Sequence, residues 1–277
     1  MSMKIPATIN PYGWKARIGL IVPSTNTVNE PEFWALAPKG VTIHTARVLA
    51  TGPSDRDAFV RMEQALDLAT EQLATAEVDI VAYGCTTGSI VCPLATLVRT
   101  MTAKAGVPAL TTAAAVVAAL KAVGAQRVAV GTPYNDFLNE SETRFLREQG
   151  FEVTSLNALA QAQGGEPRRL IGQIPVETAY RLARSVDRPE AQAIFLSCTN
   201  LATLGVIADL EIELGKPVIT SNQATFWACL RMLGLNVSIA GYGRLLESCL
   251  GRIGPAELGL PSEQAQVTAA TAAPREP

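Results

Sequence analysis

Short apolar runs that end in polar turns alternate with helix-forming segments along most of this chain. The clearest runs are RIGLIVPSTN (17–26), VDIVAYGCTTGS (78–89), RVAVGTPYND (127–136) and AQAIFLSCTNLA (191–202). Runs of this length, rich in β-branched residues and bounded by turn signals, are typical of buried strands. Strands that alternate with helices predict a parallel sheet covered by helices.

The segment between two of these strands has the pattern of an amphipathic helix. Six apolar residues of RDAFVRMEQALDLATEQLA (56–74) recur at helical spacing: Phe59, Met62, Leu66, Leu68, Ala69 and Leu73. Such a stripe predicts one helix that packs on the first sheet.

The whole alternation occurs twice. The strand that begins at Arg17, the strand that ends at Cys85 and the segment 106–124 each have a counterpart about 110 residues further along the chain. The two cysteine strands show the repeat best, since Cys198 takes the place of Cys85. The sequence therefore predicts an α/β fold of two similar doubly wound parallel-sheet domains related by pseudo-two-fold symmetry.

The domain limits follow from the repeat. The segment VSIAGYGRLLESCL (237–250) is expected to return to the first domain as a crossover and closing helix. We expect flexible tails at both ends, because one is polar and the other is rich in Ala, Thr, Pro and Gln. The predicted limits are 14–122 plus 223–254 for the first domain, 123–222 for the second, and 1–13 and 255–277 for the tails.

Composition narrows the classes of function. The chain of 277 residues has 23 Lys and Arg against 25 Asp and Glu, a net charge of -2. It lacks the basic excess that is typical of nucleic-acid-binding proteins, so we expect no nucleic-acid partner. No apolar stretch reaches the roughly 18 residues of a membrane helix, and no apolar signal region follows the N-terminus. We therefore expect a cytoplasmic protein that does not bind membranes.

The inventory of polar residues argues against several catalytic schemes. His44 is the only histidine, and it lies in the alternating, strand-like segment VTIHTAR (41–47), where a structural role is expected. Histidine-rich zinc sites and Ser–His or Cys–His catalysis therefore lose support. Neither GxGxxG nor GxxxxGK[ST] occurs in the chain. We expect no metal and no cofactor.

The five cysteines are expected to be free thiols, because the chain shows no secretion signal. Cys85 and Cys198 differ from the others, since each ends a predicted strand and is followed by Thr and helix formers. Amides at a helix N-terminus lower the pKa of a thiol and bind carboxylates. We interpret this pair as catalytic, with a small carboxylate as substrate, and Cys92, Cys229 and Cys249 as core residues.

Substrate-binding residues are expected at the carboxyl ends of the strands, where parallel α/β sheets bind ligands. The candidates in the repeated turns are Ser24, Asn26, Thr86, Thr87, Tyr134, Thr199, Asn200 and Asn222. Arg168, next to Arg169 in GGEPRRLIG (164–172), is a candidate carboxylate clamp. Each type of residue also has a structural interpretation, because Asn26 and Tyr134 fit turn or capping positions and the arginines fit a solvated surface.

The duplicated cysteine motifs resemble the aspartate/glutamate/hydantoin racemase superfamily over residues 17 to about 250. Within it, VPSTNTVNE (22–30), YGCTTGS (83–89), TPYND (132–136) and SCTN (197–200) are most similar to the maleate cis-trans isomerase branch. Glutamate and aspartate racemases usually have a CTHYP-like second motif, whereas this chain has CTNLA. Arylmalonate decarboxylases resemble the same branch but lack the first cysteine.

The resemblance implies a cofactor-independent isomerase with a covalent mechanism. The thiolate of Cys85 is implied to add to a vinyl carbon of maleate, which gives a succinyl-cysteine adduct that rotates before fumarate leaves. Cys198 is implied to act as acid or base. Asn26 and Tyr134 match residues that hold the carboxylates in this family.

One departure from the family keeps the substrate open. The isomerases have a further carboxylate-binding Asn where this chain has EPRRLIG (166–172). Arg168 or Arg169 is a candidate replacement, and the change is equally compatible with a different diacid.

Three functions remain open. The leading hypothesis is cis-trans isomerisation of maleate or a close small dicarboxylate. The alternatives are a two-thiol amino-acid or hydantoin racemase, or a related decarboxylase, and a non-enzymatic carboxylate-binding protein. The unequal neighbours of the two thiols favour the isomerase. By analogy with the superfamily we expect a homodimer.

Overall fold

The structure is a computed structural model that describes residues 11–52, 55–159 and 168–258. The predicted tails, 1–13 and 255–277, lie outside the described residues except for 11–13 and 255–258. The segment that precedes Arg168 also lies outside them. Predictions about these parts of the chain stay predictions.

Two parallel sheets of four strands each form the centre of the molecule. The first half contributes β1 (Ala16–Pro23), β2 (Val41–Val48), β3 (Ile80–Tyr83) and β4 (Ala109–Thr111). The second half contributes β5 (Arg127–Thr132), β6 (Glu152–Ala158), β7 (Ala193–Leu196) and β8 (Val218–Thr220). The strand orders, β2-β1-β3-β4 and β6-β5-β7-β8, are equivalent. The predicted fold class, with two similar doubly wound halves, is confirmed.

Helices cover these sheets. They are α1 (Asn29–Leu36), α2 (Arg56–Gln64), α3 (Leu66–Thr75), α4 (Thr86–Val91), α5 (Leu94–Ala105), α6 (Thr112–Ala122), α7 (Asp136–Glu148), α8 (Val176–Val186), α9 (Ile207–Leu214), α10 (Ser221–Met232) and α11 (Arg244–Ser248). Every residue of β3 and β7 is buried, because helices shield the sheets from solvent and leave these central strands uniformly apolar. Among the described helices, none combines the length and apolar character that spanning a membrane requires.

The prediction of one helix over 56–74 is wrong. The chain forms α2 and α3, which are separated at Ala65, and Leu68 is 63% exposed although the pattern placed it on the apolar face. The two helices bury residues against different neighbours: α2 packs on α4, whereas α3 packs on α5 and β2. A single straight apolar stripe cannot face both sets of neighbours.

Helix α10 joins the two halves. It follows β8 of the second sheet, but it packs on α6 and α1 of the first half, and every one of its residues is buried. The ring of Phe226 meets that of Phe33 edge-on at 5.3 Å. Further along the chain, the indole of Trp227 donates to the carbonyl of Cys249 at 2.7 Å. The exact domain limits stay a prediction.

A buried carboxylate also ties the halves together. Glu32 of α1 accepts hydrogen bonds from the main-chain amides of Thr203 at 2.8 Å and Leu204 at 3.1 Å. Its second oxygen accepts from the side-chain amide of Asn222 at 2.6 Å. Burial raises the pKa of Glu32, and these three hydrogen bonds act in the opposite direction. The ends of α1 and β7 are thereby fixed relative to each other.

We expect Glu32→Ala to lower the free energy of unfolding by roughly 2 to 4 kcal/mol, because it leaves buried amide donors without an acceptor. Urea denaturation measures this change. Glu30→Ala on the same helix is the control, since Glu30 makes a partly exposed pair with Arg47 at 3.0 Å and its loss is expected to cost less than about 1 kcal/mol. Equal losses in the two variants would contradict the role of Glu32.

Candidate active site

A cavity of about 610 Å³ lies where the carboxyl ends of the strands of both sheets meet. The turns that follow β1, β3, β5 and β7 contribute its polar wall. Nine of the predicted site residues line the cavity: Asn26, Cys85, Thr86, Thr87, Tyr134, Arg168, Cys198, Thr199 and Asn200. The two cysteines therefore belong to one site, although 113 positions separate them in the sequence.

Two predicted binding residues do not line the cavity. The hydroxyl of Ser24 accepts from the amide of Ala50 at 3.0 Å and so holds the turn after β1. The side chain of Asn222 donates to Glu32 and, at 3.1 Å, to the carbonyl of Thr199. Both residues support the wall of the cavity instead of facing it, which corrects their predicted placement.

Cys85 lies at the N-terminus of α4, as the sequence predicted. The amide of Gly88 donates to its sulfur at 3.3 Å. Burial raises the pKa of this thiol and outweighs the lowering effects of the Gly88 amide, the Thr87 hydroxyl, the Arg168 charge and the Tyr83 hydroxyl. The helix amide thus acts in the expected direction, but the pKa of the thiol still lies above its ordinary value.

Cys198 is held in a different way. No helix begins directly after it, in contrast to the prediction: residues 199–203 are a turn and irregular chain, the 3-10 helix Leu204–Val206 follows, and α9 begins at Ile207. Cys198 has a φ of 110°, a conformation that is costly for a residue with a side chain and that persists where surrounding contacts impose it. Its amide donates to the hydroxyl of Ser221 at 3.0 Å, and its sulfur accepts from the amide of Asn200 at 3.4 Å.

The two thiols have different electrostatic surroundings. The guanidinium of Arg168 lowers the pKa of Cys85. Burial raises the pKa of Cys198 to about 12, and the Glu142 carboxyl adds to that rise. Cys198 is therefore protonated at neutral pH, whereas a positive charge favours the thiolate at Cys85.

Arg168 is the arginine of the pair that reaches the cavity. Its guanidinium carbon lies 4.6 Å from the centre of the Phe59 ring, and its Nη1 is 3.3 Å from the sulfur of Met62. Its carbonyl accepts from the side chain of Asn200 at 3.2 Å. Arg169, by contrast, is exposed. The stacked and partly buried geometry holds the Arg168 charge on the side of Cys85.

The polar wall also connects the two halves of the molecule. Asn26 donates from its side chain to the hydroxyl of Thr199 at 3.0 Å, and that hydroxyl donates to the carbonyl of Gly84 at 3.0 Å. The side-chain oxygen of Asn26 accepts from the amides of Val28 and Asn29. Asn26 therefore fixes the turn that leads into α1 and also lines the cavity, and its role in binding a substrate stays a prediction.

Three buried polar residues near the thiols were missed by the sequence reasoning. The hydroxyl of Tyr83 lowers the pKa of the Cys85 thiol, and the hydroxyl of Ser197 lies 2.6 Å from Oε1 of Glu142 behind Cys198. A signal for Glu142 exists, because Leu138, Glu142 and Leu146 follow one another at four-residue spacing along the buried face of α7. An acidic residue on an apolar stripe marks a buried carboxyl group.

Cys92, Cys229 and His44 have the expected structural settings, whereas the predicted core position of Cys249 is wrong. Cys92 and Cys229 are buried, and Cys249 is partly exposed. His44 is half-buried in β2, and its Nε2 lies 3.0 Å from the hydroxyl of Thr42. Within the described ranges, no group of three or more His, Cys, Asp or Glu residues is arranged to hold a metal ion.

Comparison with known proteins places this site in a family. The arylmalonate decarboxylase family model matches residues 18–246. A maleate isomerase of Nocardia farcinica is 32% identical over 243 residues, which cover 83% of this chain and 95% of the relative.

Two solved structures are similar in fold as well as in sequence. The maleate cis-trans isomerase of Nocardia farcinica, in a cysteine-to-serine mutant with a covalently bound succinylcysteine intermediate, has a TM-score of 0.77 and 28% identity, with 84% of this chain and 98% of that chain covered. A cysteine-to-alanine mutant of the maleate isomerase Iso from Pseudomonas putida S16, with maleate, has a TM-score of 0.76 and 28% identity, with 83% and 97% covered.

We expect Arg168→Gln to slow the alkylation of Cys85 by iodoacetamide several-fold near neutral pH, because loss of the positive charge raises the pKa of the thiol and reduces its thiolate fraction. Peptide mass spectrometry measures the initial rate at each cysteine. Arg169→Gln removes an exposed charge next in sequence and should leave the rate unchanged. Identical rates in wild type and Arg168→Gln would show that the guanidinium does not act on Cys85.

Proposed function

The chain belongs to the arylmalonate decarboxylase family and is similar to maleate isomerases, and from this premise we propose that it isomerises maleate, or a closely related small cis-dicarboxylate, through a covalent adduct on Cys85. The observation that carries the proposal is the position of Cys85 and Cys198 on the wall of one cavity. The positive charge of Arg168 acts on Cys85, whereas burial raises the pKa of Cys198 to about 12, which supports unequal roles.

The first chemical step requires the thiolate of Cys85. The Gly88 amide, the Tyr83 hydroxyl and Arg168 each stabilise the anion against the cost of burial. The thiolate adds to one vinyl carbon of the substrate, and the electron pair of the double bond moves towards the carboxylate on the other carbon. Protonated Cys198 donates its proton to that carbon, which completes a succinyl thioether and leaves a Cys198 thiolate.

Isomerisation follows from the single bond that now joins the two former vinyl carbons. The chain of the adduct rotates about this bond. The Cys198 thiolate then removes a proton, the double bond forms again in the trans geometry, and the Cys85 thiolate leaves. Every proton and electron pair returns to its starting place, so the cycle consumes no cofactor. The pKa of about 12 at Cys198 matches a group that must start each cycle protonated.

The carboxylates of the substrate have two sets of candidate partners. Arg168 lies on the Cys85 side of the cavity and takes the place that the resemblance assigned to a carboxylate-binding Asn. Asn26, Tyr134 and Asn200 line the remaining polar wall. A guanidinium binds a carboxylate through two parallel hydrogen bonds, so this substitution retains affinity for a diacid.

A second candidate function is decarboxylation of a malonate that bears an apolar substituent. The observation in its favour is the apolar part of the cavity wall, which includes Phe59, Leu138, Leu159 and Ile171 and gives more space than a four-carbon diacid fills. Cys198 would protonate the carbon that loses carbon dioxide. Release of carbon dioxide from an arylmalonate, without any fumarate from maleate, would favour this candidate.

By analogy with the superfamily, we also propose that the protein is a cytoplasmic homodimer. Sedimentation analysis of the purified protein tests the assembly.

We expect the wild-type protein to convert maleate to fumarate, Cys85→Ala to abolish turnover, and Cys198→Ser to accumulate an adduct on Cys85 whose mass increase equals one maleic acid. Proton NMR follows the fumarate, and intact-protein mass spectrometry follows the adduct. Cys249→Ser is the control, because that thiol lies outside the cavity and its loss should leave turnover unchanged. Folded, reduced wild-type protein that forms no fumarate would refute the proposed activity.

We expect Arg168→Gln to raise KM for maleate roughly 10- to 100-fold, the usual effect of losing a hydrogen bond to a charged group. Steady-state kinetics measure this change. Arg169→Gln should leave KM as in the wild type. If both variants retain the wild-type KM, neither arginine binds a carboxylate of the substrate.

A further inference from the structure

A line of hydrogen bonds leads from the cavity into the interior of the second half. It begins at the hydroxyl of Tyr134, which lowers the pKa of the neighbouring Cys198 thiol. The hydroxyl of Tyr134 lies 3.3 Å from the hydroxyl of Ser197, which in turn lies 2.6 Å from Oε1 of Glu142. Cys198 and Tyr134 line the cavity, whereas Ser197 and Glu142 lie behind it and are fully buried.

The carboxyl group at the far end of this line has no charged partner among the described residues. Its Oε2 makes no hydrogen bond there. Of the elements packed on α7, α4 carries no titratable side chain, and the single one on β6, Glu152, is exposed. The titratable groups that face Glu142 are therefore Tyr134 and Cys198. Burial raises the pKa of Glu142 to about 8, so the group is neutral at pH 7.

The hydroxyl of Ser197 has a single proton and two hydrogen-bond neighbours, so it donates to one and accepts from the other. When Glu142 is protonated, it donates to Ser197, Ser197 donates to Tyr134, and the proton of Tyr134 is free to point at the cavity. When Glu142 is ionised, it can only accept. Ser197 must then donate to Glu142 and accept from Tyr134, whose proton turns away from Cys198.

We propose that Glu142 is a positioning residue whose proton directs the hydroxyl of Tyr134 towards Cys198 and the substrate carboxylate. This inference adds a positioning residue to the proposed mechanism. Only its statement about the substrate carboxylate rests on the proposed function. Ionisation of Glu142 has two effects of the same sign on Cys198: it withdraws the hydroxyl that stabilises the thiolate, and it places a negative charge nearby. Both effects disfavour the thiolate that the second half of the cycle requires.

The test that needs no substrate is alkylation of Cys198 by iodoacetamide between about pH 6 and pH 10, followed at that peptide by mass spectrometry. In the wild type, the alkylation rate of Cys198 rises with pH. Near pH 8, as Glu142 ionises, the rate should drop several-fold below the rise extrapolated from lower pH, and we call this drop the step. Glu142→Gln cannot ionise, so whichever way its amide points this step should be absent. Glu140→Gln, an exposed residue of the same helix, is the matched control and should retain the step.

A second variant tests whether the altered Cys198 profile of Glu142→Gln arises only from a change in packing. Ser197→Ala leaves the carboxyl group in place but breaks the line, so the step should shrink in this variant. The proposal is overturned if Glu142→Gln and wild type give superimposable Cys198 profiles, or if Ser197→Ala leaves the step at full size.

Thermal unfolding gives an independent measure of the proton on Glu142. A carboxyl whose pKa is raised on folding binds a proton in the native state that the unfolded chain lacks, so its effect on stability becomes less favourable as pH rises from 4.5 to 8. The Tm of Glu142→Gln relative to wild type should therefore increase over that interval. A constant difference in Tm would show that Glu142 is ionised in the native state and would overturn the proposal.

The pH profile of maleate turnover distinguishes a failure of this inference from a failure of the proposed function. Wild type should lose kcat with a midpoint near pH 8, and Glu142→Gln should lack that decline. A step in Cys198 alkylation without any maleate turnover refutes the isomerase and leaves Glu142 in its positioning role. Turnover accompanied by identical Cys198 profiles in wild type and Glu142→Gln supports the isomerase and overturns the role of Glu142.

Discussion

The hydroxyl of Thr199 holds together the place where the two halves of the molecule meet. It accepts a hydrogen bond from Asn26 and donates one to the carbonyl of Gly84, both at 3.0 Å. Gly84 precedes one catalytic candidate in the chain, and Thr199 follows the other. The relative position of the two thiols therefore depends on a hydrogen bond between their immediate neighbours. Glu32 reinforces this junction from behind, since it binds the turn that contains Thr203.

Burial has opposite consequences for different parts of the proposed cycle. It surrounds the thiols with a medium of low dielectric constant in which charges act strongly, but it also raises the pKa of both thiols. A high pKa suits Cys198 as a proton donor and opposes Cys85 as a nucleophile. Arg168, Tyr83 and the Gly88 amide all lie on the Cys85 side, where the anion is needed. Cys198 has the Asn200 amide and the Tyr134 hydroxyl but, among the described residues, no cation, so the positive charge of Arg168 is what distinguishes the surroundings of Cys85.

The sequence predicted what depends on local pattern and repetition. The strands that end at Cys85 and Cys198 are visible as apolar runs, and their repetition predicts both the fold class and the shared site. The break at Ala65 escaped prediction because it depends on which neighbours α2 and α3 meet. The pairing of Asn26 with Thr199, 173 positions apart, carries no local signal. The hydrogen bonds that hold Ser24 and Asn222 away from the cavity are likewise made with residues distant in sequence. The turn motifs carry no signal of these bonds, so the sequence placed both residues in the site.

The crowding around Gly84 restricts how this site can diverge. A β-carbon on Gly84 would overlap the side-chain nitrogen of Asn29 and would lie 3.1 Å from Leu20, so no larger residue fits while both neighbours remain. Asn29 itself donates to the carbonyl of Gly84 at 3.4 Å from the first turn of α1. A larger residue at position 84 therefore requires the Asn29 side chain to move or to be replaced by a smaller one. Along an evolutionary lineage, a side chain gained at position 84 is expected together with a smaller residue at position 29, although 55 positions separate the two.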